Sequence, residues 1–308
     1  MNKKIVFFLY DLSLGGAEKV VVRLSNYLVN KGYQIEILLV NKNNVFIDEI
    51  DQRIKVTSFN LKKIDTMKSV LHKAATRGHA DHGWLNSHHT FSFAGYHDPE
   101  RTHFGVLRVL NDDQVAPGRG FGTHPHDNME IISIPLEGDL EHKDSMGNTT
   151  TIKEGDVQVM SAGTGVQHSE YNKNSDQEVK FLQIWVFPNK RNVEPRYDQI
   201  SIREIEKKNA FYQVLSPSSE DEGVWIHQDA WFHLGKFEEG KTDSYQIKKE
   251  GNGVYAFVLE GEVEINGQKL EKRDGFGIWD TNSFDFKSNT DSRVLLMEVP
   301  MSLDKIGR

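Results

Sequence analysis

The hydrophobic pattern changes character near residue 66. Residues 4–10 form an almost unbroken apolar run, as expected of a buried strand. Across 17–30, Val20, Val21, Leu24, Tyr27 and Leu28 recur at helical spacing, and Lys31-Gly32 supplies a stop. Residues 34–40 predict a second strand and 54–59 a third, which together make a β-α-β unit of the doubly wound kind. The turn from Asp11 to Gly16 sets Gly15-Gly16 at the helix N-terminus, a position able to hold an anion, although tight-turn geometry is the simpler reading of a glycine pair. From Met67 onward the pattern becomes short β-type runs, at 104–110, 129–136, 156–160 and 180–187, punctuated by Gly, Asn, Asp and Pro turns. That is the pattern of a sandwich or barrel.

This second part repeats itself. Ile134-Pro135-Leu136-Glu137-Gly138-Asp139-Leu140 returns as Phe257-Val258-Leu259-Glu260-Gly261-Glu262-Val263. Lys180-Phe181-Leu182-Gln183-Ile184-Trp185-Val186 returns as Arg293-Val294-Leu295-Leu296-Met297-Glu298-Val299. Two copies of one β-barrel module explain both returns. The expected organisation is a small β-α-β fragment at 1–66, a first barrel at 67–190, a bridge at 191–228 and a second barrel at 229–303. The fold class is therefore mainly β.

Composition sharpens the seam. Residues 1–66 carry ten Lys/Arg against seven Asp/Glu, whereas all 13 histidines, all 8 prolines and all 5 tryptophans follow Met67. The 308-residue chain has a net charge of −8 and no basic stripe, which argues against nucleic acid as an electrostatic partner. With no cysteine, thiol catalysis and Cys-zinc sites are excluded. The apolar run at the start is too short for a secretory core or a membrane span, so a cytoplasmic protein is expected.

The chemistry concentrates in two strings. Gly118-Arg119-Gly120-Phe121-Gly122-Thr123-His124-Pro125-His126 is followed some forty residues later by Gly163-Thr164-Gly165-Val166-Gln167-His168-Ser169-Glu170. Side chains two apart on a strand share a face, ~7 Å apart, so His124 with His126 and His168 with Glu170 form two ligand pairs. Facing each other across a barrel, they offer three imidazoles and one carboxylate to a divalent transition metal. Isolated His-x-His strings are usually ordinary polar pairs, but two pairs in glycine-framed strands are harder to explain that way. A structural zinc site without cysteine would be unusual. Glu130 is the rival carboxylate; it lies two pleat repeats from His126, ~13 Å on a straight strand, and needs a bend to reach the metal. His79, His82, His88 and His89 fit no single strand face and read as surface or supporting residues, with His89 or Phe91 as candidate pocket liners. His227 and His233 read as ordinary polar residues beside Trp225 and Trp231.

Two resemblances attach to these motifs. Lys4-Ile5-Val6-Phe7-Phe8 with Gly15-Gly16-Ala17-Glu18-Lys19-Val20 resembles the opening of a family 4, GT-B-fold glycosyltransferase, over about the first sixty residues only. The partner domain such a transferase needs has no counterpart in the rest of the chain, so no glycosyl transfer is expected. From Met67 to about Met301, Phe121-Gly-Thr-His-Pro-His-Asp-Asn-Met-Glu, Val157-Gln-Val-Met-Ser-Ala-Gly-Thr-Gly-Val-Gln-His-Ser-Glu and His79-Ala-Asp-His-Gly-Trp-Leu-Asn-Ser-His-His-Thr-Phe-Ser-Phe resemble the signatures of the pirin family. The resemblance implies two tandem cupin (double-stranded β-helix) barrels, with His124, His126, His168 and Glu170 around one metal. Iron as Fe(II) is the expected ion, with Zn, Mn, Cu, Ni and Co as alternatives. The segment 280–286, which falls near the place of the His168 string in the second copy, lacks histidine, so the second barrel is expected to be metal-free.

The resemblance also implies a reaction, the oxidative ring opening of a flavonol such as quercetin. The partners are then a flavonol-like aromatic molecule and O2, and Glu170 is the candidate general base. Met160, Phe121 and Trp185 are candidate apolar wall residues, though each also suits a core. The competing class is a metal-dependent regulatory protein acting through a protein partner, for which the sequence offers no separate signal.

Overall fold

The computed structural model describes residues 3–9, 12, 16–40, 46–59 and 67–307. The chain divides into two compact units, Met1–Thr66 and Met67–Arg308.

In the first unit, strands Lys4–Leu9, Gln34–Leu39 and Lys55–Ser58 form a parallel sheet in that order, and the helix Gly16–Asn30 connects the first two. Parallel pairing follows from the helical crossover, which returns the chain to the same end of the sheet. The helix buries Val22 and Val29 against a core with Leu12, Ile37 and Leu39, while Val20, Leu24 and Tyr27 stay exposed. Of the turn at Asp11–Gly16, Asp11 and Ser13 to Gly15 lie outside the described residues.

The second unit holds two cupin barrels, each a seven-stranded sheet facing a four-stranded one. The first barrel joins a sheet containing Leu85–His89, Leu107–Val115, Glu130–Glu137, Asp156–Ser161 and Val179–Val186 to one containing Gly120–His126, Leu140–Asp144 and Val166–Asn172. In the second barrel, Trp231–Phe237, Asn252–Glu260, Gly275–Trp279 and Ser292–Pro300 share the larger sheet, and Thr242–Gln246, Val263–Ile265 and Ser283–Ser288 the smaller. The repeat seen in the sequence occupies equivalent places. Glu130–Glu137 pairs with Val179–Val186 as Asn252–Glu260 pairs with Ser292–Pro300. Each copy then turns at a glycine in the left-handed region, Gly138 at φ 76° and Gly261 at φ 80°. A Cβ on Gly261 would stand 2.2 Å from the carbonyl oxygen of Asp291, so only glycine fits.

The larger sheets pack face to face. Their shared core draws Ile132, Ile134, Leu182 and Ile184 from one barrel and Phe232, Phe257, Leu295 and Met297 from the other. An ion cluster adds to this seam. Asp112 accepts from Arg77 at 3.1 Å and from Arg273 at 3.0 Å, all three side chains being largely buried.

Two expected boundaries change. The bridge expected at 191–228 is built into the sheets: Arg196–Ser201 pairs with Asp156–Ser161 in the first barrel, and Phe211–Ser216 pairs with Trp231–Phe237 in the second. Strand Lys68–His72, expected in the first barrel, pairs antiparallel with Gly275–Trp279 in the second. A strand's local pattern does not reveal its partner, and these pairings are long-range. The first barrel's strand expected at 104–110 runs instead over Leu107–Val115. Among the described residues, no helix is long and apolar enough to cross a membrane.

Candidate metal centre

Period-two alternation decides what each strand shows the first barrel's interior. On Val179–Val186, Val179 and Phe181 pack in an apolar layer with Leu85, Val115 and Leu140, and Trp185 packs against a second layer of Ile131, Met160, Ala162 and Val166. Between the two, on the same face, stands Gln183. The neighbouring strands likewise place buried polar side chains at this level: Ser87, Asp113, Ser133, His168 and Glu170. A barrel of this size is normally filled by apolar side chains, so a polar belt between two apolar layers marks a site.

His124, His126 and His168 converge in that belt. Each offers a ring nitrogen, and the three lie within 4.8 Å of one another. The paired register sets His168 opposite His124, with ring centroids 4.4 Å apart, while His124 and His126 are 4.8 Å apart. Burial and the neighbouring imidazoles push His126 down to about 4 and His168 down to about 3, so both are neutral lone-pair donors at physiological pH.

Their tautomers are set from behind. His124 Nδ1 lies 2.8 Å from the carbonyl oxygen of Gly122, which can only accept, so Nδ1 carries the proton and Nε2 is free. Behind His168 runs a relay: Asp144 Oδ2 accepts from His142 Nε2 at 3.0 Å, and His142 Nδ1 lies 3.5 Å from His168 Nδ1. The face of Tyr197 packs against His142. This order of protons leaves His168 Nε2 as the lone-pair nitrogen, and that atom is buried without a hydrogen-bond partner among the described residues. An orphaned basic nitrogen facing two other imidazoles fits a bound divalent transition metal.

The two candidate carboxylates part company. Glu170 is fully buried at the level of the imidazoles, accepting from Ser133 Oγ at 3.0 Å and from Gln183 Nε2 at 3.1 Å. It is not one of the three residues in the tight cluster. A register shift between His168 and Glu170, which pairs Glu170 with Phe121, places the irregularity of the sheet beside the site. Glu130 faces the other way, toward the second barrel, with Ser161 donating to it at 2.7 Å and the backbone N–H of His227 as a further donor. Burial pushes Glu130 up to about 7.

A cavity of about 430 Å3 opens in front of the imidazoles. Trp84, Phe93, Phe121 and Trp185 give it aromatic walls, and His89 and His82 also line it. Met160 and Phe91 are core residues instead. His79 stacks on His88 at 4.7 Å, His227 packs beside Trp225, and His233 is a buried partner of Tyr245.

The second barrel has no such interior. Phe284 and Phe286 occupy the strand equivalent to that of His168 and Glu170, facing Tyr245 on the strand equivalent to that of His124. Its buried carboxylate Glu298 is saturated by the Tyr245 hydroxyl, the backbone N–H groups of Lys248 and Lys249, and Asn252.

Comparison with known proteins agrees with this architecture. A family model for pirin matches residues 70–186, and one for the quercetinase C-terminal cupin domain matches 213–299. The chain belongs to the pirin family. A quercetin 2,3-dioxygenase of Escherichia coli strain K12 is 44% identical over 230 residues, 75% of this chain and 98% of that protein. A pirin-like protein of Caulobacter vibrioides is 38% identical over 222 residues, 72% of this chain and 95% of its own length. Among solved structures, the bacterial pirin YhhW from Escherichia coli in complex with nickel(II) superposes with a TM-score of 0.72 at 42% identity, covering 76% of this chain and 99% of that one. Residues 1–66 lie outside both family matches. Within the pirin portion, sequence reasoning missed His142, Asp144 and Asp113; His142 and Asp144 share one strand face at the same spacing as the ligand pairs, a signal present but unread.

Proposed function

We propose that this pirin is a metal-dependent dioxygenase that opens the ring of a flavonol-like aromatic substrate. The observation that carries the reading is the convergence of three imidazoles on an aromatic-walled cavity of about 430 Å3, within the usual size range for a small-molecule site. The relatives named quercetin 2,3-dioxygenase support the same reaction class.

His124, His126 and His168 would hold the ion, with Glu170 as fourth ligand, since each of its oxygens keeps a lone pair beyond the bond it already accepts. Fe(II) is the ion we assign; when bound it supplies open coordination positions and one-electron chemistry with O2. The chain's own contribution is placement. Trp84, Phe121 and Trp185 sandwich a planar ring and exclude water from it. Ser133 and Gln183 hold the Glu170 carboxylate in position, and Glu170 Oε2 takes the proton of the substrate hydroxyl.

Oxygen uptake with quercetin tests the reading, using anaerobically Fe(II)-loaded protein beside His168→Ala. Uptake by the wild type and its loss in the variant, together with lost iron, is the expected result. Absence of uptake despite stoichiometric bound iron refutes the enzyme reading and leaves a metal-dependent binding protein.

A further inference from the structure

One wall of the cavity remains without a task. Strands Leu85–His89 and Leu107–Val115 pair so that Ser87 lies opposite Asp113 and His89 opposite Asn111. All four side chains line the cavity, and all four are more than nine-tenths buried. The Ser87 hydroxyl donates to Asp113 Oδ1 and is the one hydrogen-bond partner of that carboxyl among the described residues. Asn111 Oδ1 and His89 Nδ1 are buried with no partner among the described residues. Buried polar groups are normally hydrogen-bonded, so a wall holding several unpaired ones is built to receive polar atoms from something else.

We propose that Asp113, held by Ser87, is a specificity-determining residue that hydrogen-bonds a hydroxyl of the aromatic substrate other than the reacting one. The proposal rests on reading the cavity as the substrate site. The cavity then reads its ligand twice. The reacting oxygen goes toward His124 and His126, while a second hydroxyl goes toward Asp113, all three residues lining the one cavity. The Asp113 carboxyl has only Ser87 as a partner among the described residues, so it keeps capacity to bond a phenolic hydroxyl. A site built to hydrogen-bond a hydroxyl discriminates against the analogue that lacks it, because its own buried groups are then left unpaired.

The test compares quercetin with 3-hydroxyflavone, which keeps the reacting hydroxyl and lacks the outlying ones. Dissociation constants are measured anaerobically on the Fe(II)-loaded full chain, with KM and kcat from oxygen uptake. The wild type should bind quercetin more tightly. Asp113→Leu should weaken quercetin about tenfold and leave 3-hydroxyflavone within about twofold, raising KM for quercetin with kcat little changed. Asp113→Asn should restore most of the loss. Thermal melting and iron stoichiometry check that each variant is folded. Should the Leu variant not fold, Ser87→Ala carries the test, with a selective weakening of quercetin of about threefold expected. Equal weakening of both ligands, no weakening of either, or no flavonol binding by the wild type overturns the proposal. Asp113-dependent discrimination without oxygen uptake would leave the proposal standing and refute the dioxygenase reading, so the two fail separately.

Discussion

Glu130 sits on the seam between the barrels, buried, with Ser161 and the backbone of His227 as its donors and Arg196 nearby. Burial outweighs those partners and lifts its pKa from 4.5 to about 7. The folded chain therefore binds this proton more tightly than the unfolded chain does. The resulting stability is fully present below about pH 4.5 and is lost as pH rises through 7. At ~1.4 kcal/mol per pH unit, the loss attributable to this group is about 3 kcal/mol. Glu130→Gln keeps the shape and the capacity to accept from Ser161 while removing the proton. Its unfolding free energy should match the wild type near pH 4.5 and exceed it by up to about 3 kcal/mol at pH 8. Urea titrations followed by tryptophan fluorescence suit the measurement, because all 5 tryptophans lie beyond Met67. Asp113 also titrates near 7 but is present in both proteins, so the difference curve isolates Glu130. Two profiles that stay parallel from pH 4.5 to 8 would refute the reasoning, because the Glu130 carboxyl would then be as solvated folded as unfolded.

Other outcomes follow from the same structure. Asp144→Asn, which weakens the hold on His142 and through it the orientation of His168, should lower metal affinity about tenfold or more in a chelator competition; unchanged affinity would show the relay to be incidental. Asp112→Ala strands Arg77 and Arg273 in the inter-barrel seam and should destabilise by about 2 kcal/mol, less than a fully buried pair because all three side chains keep some exposure. Adding Arg273→Met to that variant should recover part of the loss, and a further loss would contradict the account. Gly261→Ala meets both a left-handed backbone and the Asp291 carbonyl, so thermal unfolding should report a loss of at least about 2 kcal/mol.

How much of this could be read from the chain varied with the kind of residue. The histidine pairs were legible because ligand spacing on a strand is local, and the barrel repeat because its Glu-Gly turns recur with the same hydrophobic runs. Asp113 was hidden by its own function. Asn111-Asp112-Asp113 looks like the end of a strand, since these residues are poor strand formers and good turn formers, yet the strand continues to Val115 with Asn111 and Asp113 buried inside. Arg196–Ser201 was invisible for a different reason. As an edge strand it is partly exposed along most of its length, so it shows no alternation and passes for a connection. Glu170 was preferred to Glu130 on the family resemblance and on spacing, and the strand of Glu130 turns that side chain toward the second barrel.

Lys68–His72 belongs to the second barrel but is synthesised before any of the first. Ala74, just after it, bonds to Asp274 two hundred positions later. On the ribosome, the first barrel's last strand emerges long before this early strand has anything to pair with. The order of assembly is thus set: the imidazole barrel can close first, while an open strand waits at its entrance for the second barrel's sheet. The two barrels are consequently not beads that a cut near residue 190 would separate. Such a cut would leave one half with a surplus strand and the other with a gap of matching size, and the halves would have reason to find each other again.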